Sequence, residues 1–189
     1  MIAGLVLAAG LSRRMGKAKL LLPLEGKPLL RWSVEALRPH VDVLLVVTPP
    51  DDRAVRLALD GLDVRFTVNQ RPEDGQGTSI AAGVRALPTA AEAVVIALGD
   101  QPRLPHGLIA QLLETFTRGG KPIVAPIFQG TQGTPVVFGA SMFDELRALD
   151  GDAGARAIVR RDPSRVAVVT VDAPMPPDVD TPEDYARLV

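Results

Sequence analysis

The alternation of short apolar runs with helix-like segments is the strongest constraint on how this chain folds. The apolar runs predict strands at Ile2–Ala8, Val41–Val47, Val64–Val68, Ala93–Leu98, Pro122–Ala125, Pro135–Phe138 and Arg165–Val171. The segments between them predict helices at Pro28–Arg38, Asp51–Leu59, Thr78–Leu87, Pro105–Phe116, Ser141–Leu149, Ala153–Arg161 and Pro182–Leu188. Continuous apolar runs are typical of strands buried on both faces. The order therefore predicts a three-layer α/β fold, with helices on both faces of a doubly wound, mostly parallel sheet.

Length and organisation predict a single domain over residues 1–189. A chain of 189 residues is long enough to bury one sizeable core. It contains no internal repeat and no linker long enough to separate two domains.

Charge and hydropathy exclude several classes of partner. The formal net charge of −1 argues against a nucleic-acid-binding protein, which usually carries a basic excess. No apolar run approaches the roughly 18 residues of a membrane span. Arg13 and Arg14 follow the first apolar run, whereas a signal peptide carries its positive charge before that run. We therefore expect a cytoplasmic protein that binds neither nucleic acid nor membrane.

Four segments are expected to carry the chemistry because they follow predicted strands. In open α/β sheets, ligands bind at the carboxyl ends of the strands. The segments in question are Ala8–Lys19, Asn69–Ser79, Gly99–Pro102 and Asp172–Asp180.

The first of these segments is a glycine loop suited to phosphate. It has only Gly10 and Gly16, so it lacks the dinucleotide fingerprint, which argues against a NAD-binding enzyme. It also fails the P-loop pattern, because five residues separate the glycines and Ala18 follows Lys17. The small residues Ala8–Gly10 would still let backbone N–H groups approach a ligand. The nearby cations can bind phosphate oxygens; they are Arg13, Arg14, Lys17 and Lys19. The alternative is a solvated basic turn.

Composition limits any metal site to hard ligands. The chain has no Cys and only two His, His40 and His106, which are far apart in sequence. Asp100 directly follows the predicted strand Ala93–Leu98, where a carboxylate can help to hold Mg²⁺. The alternative is a turn-forming Asp that bonds nearby backbone.

Two further segments have both a functional and a structural interpretation. Asn69–Ser79 contains glycines and a hydroxyl pair before a predicted helix, which suits a base edge or a phosphate. Its structural alternative is a loop with Thr78 or Ser79 as helix cap. Near the end of the chain, Asp180 or Thr181 before Pro182 predicts a helix N-cap.

The glycine loop resembles a known signature. The stretch LAAGLSRRMGKAKLLLPLEGKPLL is similar to that of the MobA-like nucleotidyltransferases, and nine positions match. These are Leu7, Ala8, Ala9, Gly10, Ser12, Arg14, Met15, Gly16 and Lys19. Among these enzymes it looks most like the molybdenum cofactor cytidylyltransferases, which tend to have Ala where guanylyltransferases have a second Gly.

The resemblance implies a fold, a reaction and a cofactor. The fold would be the Rossmann-like nucleotide-diphospho-sugar transferase type. The reaction would transfer a nucleotidyl group from an NTP (CTP, with GTP as the alternative) to a phosphorylated small molecule, releasing pyrophosphate. That acceptor would be molybdopterin, and a molybdoenzyme or its chaperone could be a further partner. Mg²⁺ would be the cofactor.

The resemblance also assigns roles to individual residues. Arg14, Lys19 and Asp100 would be catalytic, and Asp100 with Asp180 would hold the metal. The substrate-binding residues would be Leu7, Ala8, Ala9, Gly10, Asn69, Gly77, Ser79 and Arg156.

The sequence departs from the cytidylyltransferase pattern in Gly130–Phe138, which the resemblance implies is the acceptor segment. Where these enzymes tend to show Arg and His in G-x-R-G-H-P-V-x-F, this chain has Gln132 and Thr134. Three alternatives stay open: guanylyl transfer, transfer to another phosphorylated molecule, and a non-catalytic nucleotide-binding chaperone or sensor.

Overall fold

The computed structural model describes residues 1–10 and 18–188. The strands are β1 Ile2–Leu7, β2 Pro23–Leu24, β3 Lys27–Pro28, β4 Val43–Thr48, β5 Arg65–Val68, β6 Ala93–Leu98, β7 Ile123–Phe128, β8 Thr131–Gln132, β9 Val136–Gly139 and β10 Val166–Val171. The helices are α1 Leu29–Leu37, α2 Arg53–Ala58, α3 Gln76–Arg85, α4 Leu108–Thr117, α5 Phe143–Arg147, α6 Ala155–Arg161 and α7 Pro182–Ala186.

The main sheet is mostly parallel, as predicted. Its strands run in the order β10-β7-β9-β6-β1-β4-β5, and β8 pairs with β7 outside this path. Strands β6, β1, β4 and β5 are parallel neighbours, and β10 is parallel to β7. Strand β9 is antiparallel to both of its neighbours, β6 and β7.

Helices cover both faces of this sheet, and each face has its own apolar core. On one face, α3, α5 and α6 contribute buried residues such as Ile80, Leu146 and Ile158. On the other face, α1, α2 and α4 contribute buried residues such as Val34 and Leu112. Burial of this apolar surface is the main favourable term in folding. The predicted three-layer, doubly wound architecture is confirmed.

The carboxyl ends of the central strands bring two site segments together. Leu7 at the end of β1 lies in register with Leu98 at the end of β6. The residues that follow these strands, Ala8–Gly10 and Gly99–Asp100, therefore emerge at the same edge of the sheet.

The structure differs from the sequence prediction at the start of α3. Gly75, with φ of +107°, occupies the N-cap position, so neither Thr78 nor Ser79 is the cap. The Thr78 hydroxyl instead donates to the carbonyl oxygens of Gly75 and Arg71 at 2.8 and 2.9 Å. The helix starts earlier because a glycine tolerates the left-handed backbone from which it begins.

The bounds of one strand after α4 also differ from the sequence prediction. Strand β7 continues to Phe128 rather than ending at Ala125, because β10 pairs with it over its whole length. The β2–β3 hairpin was not predicted, since two-residue strands carry no periodic signal.

Within residues 1–10 and 18–188, no helix is long and apolar enough to cross a membrane.

Candidate active site

Two adjoining cavities open at the carboxyl ends of the central strands. The first has a volume of about 220 Å³ and the second about 280 Å³. Leu7, Gln76 and Leu98 line both of them, so the cavities share a wall. This edge of the sheet is where ligands bind in open α/β folds.

Small residues after β1 shape the first cavity. Ala9 and Gly10, two of the residues predicted to bind substrate, line it. Ala8 is 2% exposed and packs into the core on the α1 face instead. The predicted catalytic residue Arg14 lies outside the described residues.

Lys19 joins the two predicted metal ligands at the rim of the first cavity. Its Nζ donates to Asp100 Oδ2 at 2.6 Å and to Asp180 Oδ1 at 2.8 Å. Burial lowers the pKa of the Lys19 ammonium, but the two carboxylates outweigh burial and the net effect is a raised pKa. Lys19 and Asp180, which are 161 positions apart in sequence, are therefore in direct contact.

The donor set at this point fits a hard divalent cation. Asp100 Oδ1 is buried and has no hydrogen-bond partner among the described residues. An unpartnered buried carboxylate oxygen is costly unless a cation or donor satisfies it. No group of three or more Asp, Glu or His residues that could hold a metal occurs in the described ranges. Mg²⁺ typically uses one or two carboxylates and completes its shell with water and substrate phosphates.

The segment before α7 carries Asp180 to this rim. Val179 is fully buried, and its backbone N–H donates to the Asp100 carbonyl at 3.2 Å, which fixes the segment beside the end of β6. Thr181 is the N-cap of α7, in a capping box with Asp184. Thr181 therefore takes the capping role, while the Asp180 carboxylate contacts Lys19.

The predicted base-recognition segment contributes four residues to the lining of the first cavity. They are Pro72, Gly75, Gln76 and Ser79. Asn69 is 3% exposed, and its Nδ2 donates to Thr78 Oγ1 and Ser79 Oγ at 2.8 and 3.0 Å. Asn69 thus fixes the loop against α3 from within.

Gly77 serves as a contact point between two loops. Its N–H donates to the Gly151 carbonyl at 2.8 Å. A Cβ at this position would come within 2.8 Å of the carbonyl oxygens of Asp150 and Ala153. Gly77 therefore allows the α3 loop to lie directly on the loop before α6, and it is not among the residues that line either cavity.

The second cavity contains the acceptor-segment residues. Gln132, Thr134 and Arg156 line it, with Asp152 and Asp178. Arg156 stands in the first turn of α6, as predicted. Side chains from the β8–β9 region, from α6 and from the segment before α7 therefore line the same cavity.

Sequence reasoning missed Gln101 and Asp178. Gln101 is 3% exposed, and its Nε2 donates to Asp178 Oδ1 at 2.5 Å, while its Oε1 accepts from the Thr134 hydroxyl. Burial, and then the nearby Asp100 charge, raise the pKa of Asp178, and Gln101 partly opposes them. Gln76 was missed as well, although it follows the Gly75 turn inside a segment expected to bind ligand.

The signal for these residues was weak in the sequence. Asp178 precedes a capping sequence, so a structural role explained it equally well. Its spacing of two residues from Asp180 was the available clue, because alternate residues of an extended segment face the same side.

Proteins of known sequence resemble this chain over nearly its whole length. Purine catabolism protein PucB of Bacillus subtilis is 33% identical, covering 97% of this chain and 94% of its own length. A molybdenum cofactor guanylyltransferase of Rhodobacter capsulatus is 34% identical, covering 98% and 94% respectively.

Solved structures also resemble this chain over nearly its whole length. The crystal structure of Rv0371c from Mycobacterium tuberculosis aligns with a TM-score of 0.86 and 31% identity, covering 100% of this chain and 97% of that one. A structure of Rv0371c in complex with manganese aligns with a TM-score of 0.86 and 28% identity, covering 99% and 97%.

The family match spans most of the described fold. Residues 4–166 match the MobA-like NTP transferase domain, a range that includes the glycine loop, Asp100 and the acceptor segment. The architecture of the sheet and the paired cavities agree with a nucleotidyltransferase. The chain therefore belongs to the MobA-like NTP transferase domain family.

Proposed function

We propose that this nucleotidyltransferase transfers a cytidylyl group from CTP to the phosphate of molybdopterin, with Mg²⁺ as cofactor and pyrophosphate as product. The observation that carries the proposal is the Lys19–Asp100–Asp180 cluster at the rim of the first cavity, which shares a wall with the second. A charged centre in that place can serve both a nucleotide and an acceptor.

The two cavities divide the substrates within a single domain over residues 1–189. The first cavity, built from the N-terminal part, would take the NTP. Its Gly10 is exposed and has no side chain to block the backbone, and Ser79 adds a hydroxyl. The second cavity, built largely from the C-terminal part, would take the acceptor near Arg156.

Asp100 and Asp180 would hold the divalent cation. A cation bound there supplies positive charge for the triphosphate as pyrophosphate leaves. Lys19 already lies between these carboxylates and lines the NTP cavity, so its ammonium is close to where phosphate oxygens would be. Arg14 is proposed as a second phosphate contact on its motif position alone.

The proposed reaction requires no strong protein base. The attacking group is a phosphate oxygen of the acceptor, which is already anionic near neutral pH. The protein's contribution is therefore to position the two substrates and to stabilise charge in the transition state. A site composed of Asp, Lys and Arg is sufficient for both tasks.

CTP is proposed over GTP because of Ala9. This residue lines the NTP cavity, where an alanine would leave less space for a purine than a glycine would. Guanylyl transfer is the second candidate, because the Rhodobacter capsulatus relative is named a guanylyltransferase. A molybdoenzyme or its chaperone, in the cytoplasm, would receive the product.

The proposal is tested by a product assay. Purified protein is incubated with molybdopterin, Mg²⁺ and either CTP or GTP, and the nucleotide adduct and pyrophosphate are quantified. We expect the cytidylyl adduct in stoichiometric amount with pyrophosphate. A guanylyl adduct would select the second candidate, and nucleotide binding without pyrophosphate release would indicate a sensor.

A further inference from the structure

Gln101 connects the metal-binding segment to the wall of the second cavity. It follows Asp100 directly and is almost completely buried. Its side-chain amide has one partner at each end, Asp178 Oδ1 on the nitrogen and the Thr134 hydroxyl on the oxygen. An ionised carboxylate only accepts hydrogen bonds, so the amide nitrogen must face Asp178 and the amide oxygen must face Thr134.

This orientation determines which hydrogen-bonding groups remain for a ligand. The Thr134 proton is used on Gln101, so the Thr134 oxygen can only accept. Asp178 Oδ2 has no hydrogen-bond donor among the described residues, and a carboxylate oxygen accepts. Both residues line the second cavity, and both are bonded to the same amide. Its wall therefore presents two acceptors that one side chain holds.

The rest of the cavity suits a flat ring. Apolar side chains form part of its lining: Leu7, Ile80, Ile96, Leu98 and Val136. An apolar surface with a few convergent polar groups is typical of sites that bind heterocycles. The cavity also contains Arg156, which can contact an anion.

We propose that Gln101 is a positioning residue that holds Asp178 and Thr134 as a hydrogen-bond-accepting wall, and that this wall selects acceptors whose ring edge donates hydrogen bonds. The 2-amino-4-oxopteridine edge of a pterin, with adjacent N–H groups, is such an edge. The inference rests on the proposed function for the identity of the acceptor. It adds which atoms read the ring, and one of the residues concerned, Thr134, stands where this chain departs from the cytidylyltransferase pattern.

The test compares two ring systems that differ along one edge. The probes are 6-hydroxymethylpterin and 6-hydroxymethyllumazine, in which a 2-oxo acceptor replaces the 2-amino donor and N1 carries a proton, so that the edge has no two adjacent donors. Binding to the full chain with CTP and Mg²⁺ is followed by probe fluorescence. We expect the pterin to bind about 10- to 100-fold more tightly, the range of one hydrogen bond to a charged group.

Substitutions then identify the atoms responsible. In Asp178→Asn, Gln101 still donates to the remaining oxygen, so an amide N–H₂ faces the cavity and the preference should fall or reverse toward lumazine. Gln101→Leu should reduce the preference and raise the KM for molybdopterin while leaving the KM for CTP unchanged. Thr134→Val removes the hydroxyl at nearly constant shape and should reduce the preference less.

Asp152→Asn is the matched control, since Asp152 lines the same cavity and is not one of the two hydrogen-bond partners of the Gln101 side chain. It should keep the pterin preference. The inference is overturned if the wild type binds both probes equally, or if Asp152→Asn abolishes the preference while Asp178→Asn keeps it. If neither probe binds and no molybdopterin adduct forms, the molybdopterin acceptor is itself wrong and the inference falls with it.

Discussion

The two cavities of this protein are built in different ways. The cavity proposed for the NTP is lined by the small residues Ala9 and Gly10 and has a charged rim at Lys19 and Asp100. The acceptor cavity consists mainly of side chains, and one buried amide, Gln101, fixes two of them. A triphosphate is recognised by charge and N–H groups that any backbone supplies, whereas a particular ring needs particular side chains.

This difference predicts how substitutions act on each cavity. In the NTP cavity they should change turnover for every acceptor. In the acceptor cavity they should change which acceptor is used.

The largest effect is expected at Asp100. Asp100→Asn keeps the size of the side chain but removes a charge from the metal-binding pair, so kcat should fall about 10²- to 10³-fold. The unfolding midpoint should change little, because the loss of the charge beside Lys19 is opposed by the removal of an unpartnered buried carboxylate oxygen. Asp60→Asn, an exposed carboxylate, is the control. Turnover in Asp100→Asn close to that of the control would contradict the assignment.

The next largest effect is expected at the motif cations. Lys19→Ala and Arg14→Ala should each lower kcat/KM for CTP about 10- to 100-fold, because each removes a charge-assisted contact to phosphate. Lys17→Ala and Arg13→Ala serve as controls, since those residues fall off the motif positions. Equal losses in all four variants would mean that the loop acts as a diffuse basic patch.

A third prediction separates stability from binding by using two glycines. Gly77→Ala places a Cβ within 2.8 Å of two carbonyl oxygens and should destabilise the protein by about 1–3 kcal/mol. Gly10→Ala has no described atom within 4 Å, so it should leave stability unchanged and weaken CTP binding. Thermal unfolding and CTP titration of both variants check this, and a reversed pattern would contradict it.

The smallest effect is expected at Ala9. Ala9→Gly removes one methyl group from the NTP cavity and should raise kcat/KM for GTP relative to CTP by about tenfold. Competition between the two nucleotides measures the ratio in both proteins. An unchanged ratio would show that Ala9 does not read the base.

The fold could be predicted from the sequence because strands that are buried on both faces are continuously apolar, and such runs are easy to recognise. Strands such as Ala93–Leu98 are continuously apolar, and the strand–helix order fixes the architecture. Local boundaries were less predictable where tertiary pairing decides them. The extension of β7 to Phe128 depends on β10, about 40 residues later, and no local propensity encodes that contact.

The charged part of the site was predictable and the polar part was not. Lys19, Asp100 and Asp180 stand in recognisable local patterns, and the structure brings them together. The Gln101–Asp178–Thr134 chain joins three residues whose local sequences all have ordinary structural explanations. Only the folded arrangement reveals that one amide has both of the others as partners.

We infer that the carboxylates at this rim have separate tasks, with Asp100 and Asp180 for the metal and Asp178 for the acceptor. The most direct test is Mn²⁺ titration in the presence of CTP, followed by electron paramagnetic resonance, on Asp100→Asn, Asp180→Asn and Asp178→Asn. The first two substitutions should weaken Mn²⁺ binding about tenfold or more, and Asp178→Asn should leave it unchanged. Weakening in Asp178→Asn equal to that in Asp100→Asn, or unchanged binding in both Asp100→Asn and Asp180→Asn, would contradict this inference.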